Sequence, residues 1–399
     1  MRFRLVLFSL VSLALYVLLA LGSDVEPGTR FLAQWYRPRL FEASVEFIGI
    51  WVALFVVYVI AVRVAAFRRE RGFFAIIFIT SILFRAALLL GSGFDHTAPS
   101  VFLYGPSPLT VWVAGVELGL TAERVVAIVC DLGALALAPS LLKAARLPLG
   151  AAIIHGWNPL VIKEVAGSGR IEVVAFMLFL LSLRLVQTNA RWPAAMVYGL
   201  SLSGPIMLVA TLALMAKAVR GRLVAGLAFA VFGWVLAFPE TTWIQRAGWP
   251  PEGATGGSIT PALVALANLF VTRNDSIPLA IILAAWALFV VVRAARLPLA
   301  TGIPYAARLP HEALLALGSF VLVSTQVLPW AFVAFAYLAA HSTNRGWLAF
   351  TATAPLTYAA SEAGSFGFWL GFAQYFVPCA LLIFFWLGRP PPAAAGDDD

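Results

Sequence analysis

The chain has 399 residues, 62% of them hydrophobic and 12% charged, with a formal net charge of +8. Soluble domains are about 45–50% apolar and about 25% charged, so a mean hydropathy of +0.92 excludes a water-soluble globular fold and makes lipid the solvent. No basic run with interleaved aromatics accompanies the positive charge, which argues against nucleic acid as a partner and leaves the Lys/Arg bias of membrane loops as its origin.

A spanning helix needs about 20 mostly apolar residues. In chain order the sequence predicts such helices at 5–22, 46–66, 73–91, 125–142, 149–163, 171–187, 223–239, 276–293, 346–360 and 367–387. Residues 1–22 also have the outline of a signal peptide, with Arg2, Arg4 and small residues near Gly22. The apolar run is long for one, and a retained helix is the expectation. The stretch 108–120 is short for a span and reads as re-entrant. Residues 194–216 and 312–340 are interrupted at Gly204-Pro205 and Leu328-Pro329. Each reads as a helix pair or a kinked helix, because proline removes a backbone donor and clashes with the preceding turn. The expected fold class is all-α integral membrane, a polytopic bundle of about 12–14 transmembrane helices. It forms one domain over residues 1–389. The Pro/Ala-rich acidic tail 390–399 is expected to be disordered.

Orientation follows from the basic residues. With the N-terminus cytoplasmic, Arg63, Arg68, Arg69, Arg71, Lys143, Arg146, Arg191, Lys217, Arg220, Arg222, Arg293 and Arg296 collect on the cytoplasmic side with most of the other Lys and Arg. The expectation is a multi-pass protein of the inner (plasma) membrane with both termini cytoplasmic. The longer loops, 23–45, 92–124, 164–170, 239–275 and 361–366, then face outward, where binding and chemistry would concentrate. Cys130 and Cys379 lie in apolar segments and read as small buried hydrophobes. His155 and His341 lack partners at metal-ligand spacing, so no metal and no other cofactor is expected.

A charge inside an apolar segment costs about 2.5–3.5 kcal/mol on insertion scales, so each one is a functional-site hypothesis. Arg85 lies in 73–91 and Asp131 in 125–142. One reading has Arg85 hold a lipid phosphate through its forked donors; the other has it snorkel to the interface or form a structural buried pair with Asp131. Next comes His155-Gly-Trp-Asn-Pro-Leu-Val-Ile-Lys-Glu164, then Ala166-Gly-Ser-Gly-Arg170-Ile-Glu172. Glu164 and Glu172 flank the Gly-rich turn. They read either as capping and interface charge or as a carboxylate pair facing an external cavity. Asp95-His96 is a further external acid–imidazole pair; an Asp just beyond a helix end reads either as a general base or as an ordinary loop residue.

The order of these motifs resembles the polytopic C-type glycosyltransferases (GT-C fold), notably bacterial alpha-mannosyltransferases that use polyprenyl-phosphate sugars. The resemblance runs through Leu83-Phe84-Arg85 leading to Asp95, Tyr104-Gly-Pro-Ser-Pro-Leu109, the intramembrane Asp131, and the Trp-Asn-Pro-Leu-Val and Ala-Gly-Ser-Gly stretch at 157–169. Pro329-Trp330 and the Thr-Ala-Pro-Leu-Thr-Tyr segment at 353–358 follow. It covers about 73–387. It implies Asp95 as catalytic base, and Arg85, His96, Asp131, Asn158, Glu164, Arg170, Glu172 and Trp330 as substrate-binding residues. Against the family pattern, Gly-His-x-Asp stands as Gly169-Arg170-Ile171-Glu172, Thr-Lys as Ser203-Gly204, and His-Pro-Trp-Tyr as Leu328-Pro329-Trp330-Ala331. The loop after Asp95 is also shorter.

Three functions follow. The first is a membrane glycosyltransferase acting at the outer leaflet on a polyprenyl-phosphate-linked sugar. The second is a catalytically silent GT-C relative, serving as an assembly subunit among membrane-protein partners or binding lipid. The third is a transporter or channel with broken helices at its midplane; against it, the two halves show no matching repeat and the intramembrane charges are too few for an obvious ion path.

Overall fold

The computed structural model describes residues 1–23, 44–91, 93–94, 120–170, 172–202, 206–237, 276–296, 303–324, 329–341, 346–362 and 367–387. Among the described residues there is no strand. The first four helices are α1 (Arg2–Ser23), α2 (Val45–Ala65), α3 (Arg71–Leu88) and α4 (Leu120–Ala144). All four are long and apolar enough to cross a membrane by length and composition. Helix α2 opens on Ser44, whose hydroxyl accepts from the Phe47 N–H at 3.2 Å, with Glu46 in the first turn where the dipole favours a carboxylate.

The faces of these helices are distributed as lipid dictates. In α3 the inward stripe carries Phe73, Ile77, Thr80, Ser81, Phe84 and Arg85, while Ile79, Ile82 and Leu83 point outward and uncovered. In α1, Ser9, Ser12 and Tyr16 face in, and Leu7, Leu10 and Leu18 face out. Water would reverse that arrangement. In hydrocarbon the apolar side chains need no cover, and polar groups find partners only inside the bundle.

The stretch 149–163, expected as one span, is not a continuous helix. It comprises a 3₁₀ turn (Leu149–Ala152), α5 (Ile153–Gly156), α6 (Pro159–Ile162) and a π-helical turn (Lys163–Gly167). Pro159 is the cause: the residue before a proline is pushed out of the helical region, and Asn158 sits at φ −61°, ψ 120°. Every residue from Gly150 to Gly167 is buried. This broken segment threads the centre of the bundle, against α2, α3 and α4.

Beyond it run α7 (Val173–Gln187), α8 (Arg191–Ser201), a 3₁₀ turn (Ile206–Thr211), α9 (Leu212–Val219) and α10 (Leu223–Ala237). The interruption expected near Gly204-Pro205 therefore has helix on both sides, though residues 203–205 lie outside the described residues. Helix α8 crosses α10 at Gly199 and Gly226. A Cβ on Gly199 would fall on the Gly226 carbonyl, so only glycine permits this approach.

The remaining helices are α11 (Ser276–Arg296), α12 (Ile303–Val323), α13 (Val333–Ala339), α14 (Gly346–Thr353), α15 (Leu356–Glu362) and α16 (Gly367–Leu387). A 3₁₀ turn, Pro329–Phe332, leads into α13. The expected helix at 346–360 is two, because Pro355 lies between α14 and α15. Residues 108–119 and the tail 390–399 lie outside the described residues.

Candidate functional site

Two buried polar clusters occupy the centre, and both hang on the broken segment. The first joins four elements. Arg85 of α3 donates through Nε to Asp131 Oδ2 of α4 at 2.6 Å, and its Nη2 is ion-paired to the same oxygen. Its Nη1 donates to the carbonyls of Ser81 (2.9 Å) and Gly156 (3.1 Å). Asp131 Oδ1 takes His155 Nε2 of α5 at 2.8 Å and the Tyr337 hydroxyl of α13. The His155 and Tyr337 rings lie 4.2 Å apart. Arg85 and Asp131 are both fully buried. Arg85 and Asp131 are thus ion-paired to each other inside the protein.

The second cluster lies on the π-helical turn. Such turns insert one extra residue per turn and often mark functional sites. Lys163 Nζ donates to Glu164 Oε1 at 2.9 Å and to the Tyr358 hydroxyl of α15 at 3.1 Å. It also sits over the rings of Tyr358 (4.3 Å) and Phe94 (5.1 Å). The Tyr358 hydroxyl donates in turn to Glu164 Oε1 at 2.8 Å. Arg170 Nε stands 3.6 Å from Glu164 Oε2, across the turn opened by Gly169 at φ 65°. Glu172 closes the group directly before α7. Burial alone would lower the Arg170 guanidinium, but Glu172 and then Glu164 act against it, and the net direction is upward. Lys163 and Glu164 are fully buried, whereas the Arg170 side chain is 13% exposed and Glu172 7%. The cluster reaches the surface at Arg170, a forked cation whose geometry suits phosphate, with the buried Glu172 two residues on.

Arg124 locks this region. Its Nε donates to Ala166 O at 2.6 Å, its Nη1 to Gly91 O at 2.9 Å, and its Nη2 to Leu88 O. It closes the C-terminal carbonyls of α3 and pins them to the π-helical turn. Phe94 N–H donates to Gly167 O at 3.0 Å, extending the same join.

The expected site residues divide accordingly. Glu164, Arg170 and Glu172 come together; Glu164 is held inside rather than facing a cavity. Arg85 and Asp131 come together in the separate first cluster. Asn158 is a cap: its Oδ1 accepts from the Leu160 and Val161 N–H groups at 3.0 and 3.4 Å, and its Nδ2 donates to Thr351 Oγ1 at 3.0 Å. Asn158→Ala removes both functions and is expected to cost about 2 kcal/mol of stability. Thermal unfolding in detergent checks this, and an unchanged midpoint would refute the cap. Trp330 is buried in the 3₁₀ turn against α6. Asp95 and His96 lie outside the described residues, the last described residue before them being Phe94.

Sequence reasoning passed over Tyr337, Tyr358, Lys163 and Arg124 as site members. Lys163 and Tyr358 stand in stretches quoted above without a role of their own, and Arg124 left a separate signal, a cation in the first turns of a helix, where the dipole disfavours it. Its partners are carbonyls from two other elements, which no local pattern announces. His155, set aside for want of metal-ligand spacing, has Asp131 as its partner. No metal-holding group of three His, Cys, Asp or Glu occurs among the described residues. Compared with protein-family models, with curated proteins and with solved structures, the chain matches none of them.

Proposed function

We propose that the chain is a multi-pass membrane glycosyltransferase of GT-C type that takes sugar from a polyprenyl-phosphate donor at the outer leaflet. The observation that carries this reading is the Arg170–Glu172 edge of the π-helical cluster. Arg170 is the most exposed side chain of that cluster, and it stands on the stretch that most resembles the family.

In such a transfer the acceptor oxygen bonds to the anomeric carbon as the bond from that carbon to the phosphate oxygen breaks. A carboxylate takes the acceptor proton, and the polyprenyl phosphate leaves with the electron pair. Asp95 is the proposed base. Arg170 supplies a fixed cation for the leaving phosphate, and Lys163, Glu164 and Tyr358 brace the turn behind it. The basic residues gathered in the turns remote from this cluster support the inner-membrane orientation with both termini cytoplasmic.

The experiment is donor turnover by the purified chain in proteoliposomes, read as polyprenyl phosphate released with a hydroxyl acceptor present. Release above that of protein-free liposomes supports the reading. No release with any hexosyl donor overturns it.

A second reading, a catalytically silent relative acting as an assembly subunit or lipid-binding protein, rests on a different observation. Arg85 and Asp131 are fully buried and ion-paired to each other, and Glu164 is held by Lys163 and Tyr358. An inert chain that co-purifies with other membrane proteins would favour it.

A further inference from the structure

A second basic site lies at the far end of α7 from Glu172. Fifteen residues separate the two ends, about 22 Å at 1.5 Å per residue. There the start of α8 and the α9–α10 turn meet around an open cleft of about 600 Å³. Its walls include Trp192, Arg220, Arg222, Val224 and Ala228. The Arg222 guanidinium stands 5.5 Å over the Trp192 ring, and its Nε is buried without a hydrogen-bond partner. Arg191, next to Trp192 at the start of α8, adds a third positive charge on this side of the cleft. Among the described residues no carboxylate pairs with any of the three.

Uncompensated like charges held together repel one another, and an anion between them relieves that repulsion. The backbone adds to the pull. Arg220 and Gly221 both take positive φ, 50° and 82°, and turn the chain so that α10 starts at the cleft. The first N–H groups of a helix have no acceptor within it and favour negative charge.

The cleft also borders lipid-facing surface. Trp192, Val224 and Val231 are 56%, 76% and 61% exposed, and the latter two continue along the outer face of α10. A tryptophan beside arginines at the end of an apolar helix is the composition of a headgroup layer.

We propose that this cleft binds the phosphate of an anionic phospholipid, with Arg191, Arg220 and Arg222 around the headgroup and the acyl chains along Val224 and Val231. The site is separate from the Arg170–Glu172 edge and does not depend on the activity proposed for it.

The test is native mass spectrometry of the full chain, purified in detergent and offered equimolar phosphatidylglycerol and phosphatidylcholine. The wild type is expected to retain phosphatidylglycerol with roughly tenfold preference, and R191Q/R220Q/R222Q to lose it. The control R63Q/R69Q/R71Q removes the same charge elsewhere and should keep the preference. All these arginines lie in turns or near helix ends, and matched elution from a sizing column verifies folding. Preference retained in R191Q/R220Q/R222Q, or lost equally in the control, overturns the assignment. Displacement of the lipid by inorganic phosphate at constant ionic strength would mark a free-anion site and overturn it as well.

Discussion

Arg85→Met is expected to cost about 3–5 kcal/mol of stability, because it leaves the Asp131 carboxylate buried without its cation. The packing around the pair leaves no route to water. Both side chains are fully buried, and Ser81, Gly156, His155 and Tyr337 occupy the remaining directions. The informative partner is R85M/D131N. An amide at 131 removes the stranded charge and keeps an oxygen for His155 and Tyr337. The double variant is therefore expected to be more stable than Arg85→Met alone, with a coupling of roughly 1–3 kcal/mol. Denaturant or thermal unfolding in detergent, followed by tryptophan fluorescence, measures the cycle. A single variant within about 1 kcal/mol of wild type would mean that the pair holds nothing together.

The second large effect concerns activity. Asp95→Asn is expected to lower sugar transfer by about 10²–10⁴-fold, the range by which a positioned general base accelerates proton transfer. Arg170→Lys keeps a cation but loses the planar fork that matches phosphate. It is expected to depress turnover while leaving the protein folded, since the Arg170 side chain is partly exposed and its closest ion-pair contact is 3.6 Å. Glu172→Gln separates two roles. If the carboxylate serves only to hold Arg170, the amide lowers turnover in step with Arg170→Lys, and the two losses do not add. The measurement is initial rate in proteoliposomes, normalised to folded protein by gel filtration. Equal rates for wild type and Asp95→Asn would remove Asp95 as base. An inert wild type would shift the weight to the silent reading.

The helices themselves were legible because a bilayer imposes a demand that composition meets directly. Runs of about 20 apolar residues at 5–22, 46–66, 73–91 and 125–142 correspond to α1, α2, α3 and α4. The breaks at Pro159 and Pro355 were harder. Apolar content stays high across 149–163 and 346–360, so hydropathy reads each as one span, and only the loss of an N–H and the constraint on the preceding residue divides it. The charge anomalies were legible too. Arg85 and Asp131 stood out against hydrocarbon, and the structure brings the two side chains into contact.

What the sequence by itself determined is the solvent of this protein, and with it the helical class and the short list of costly polar residues. Those follow from composition and spacing, which are local. Only the tertiary structure decided which of those residues meet. Asp131 and Tyr337 are 206 positions apart, and Glu164 and Tyr358 are 194. Tyr337 sits in an all-apolar neighbourhood that carries no mark of its partner. The physical reason is that a buried charge constrains its surroundings only through contact. The need for a partner is written in the residue, but which partner answers it depends on how the helices pack.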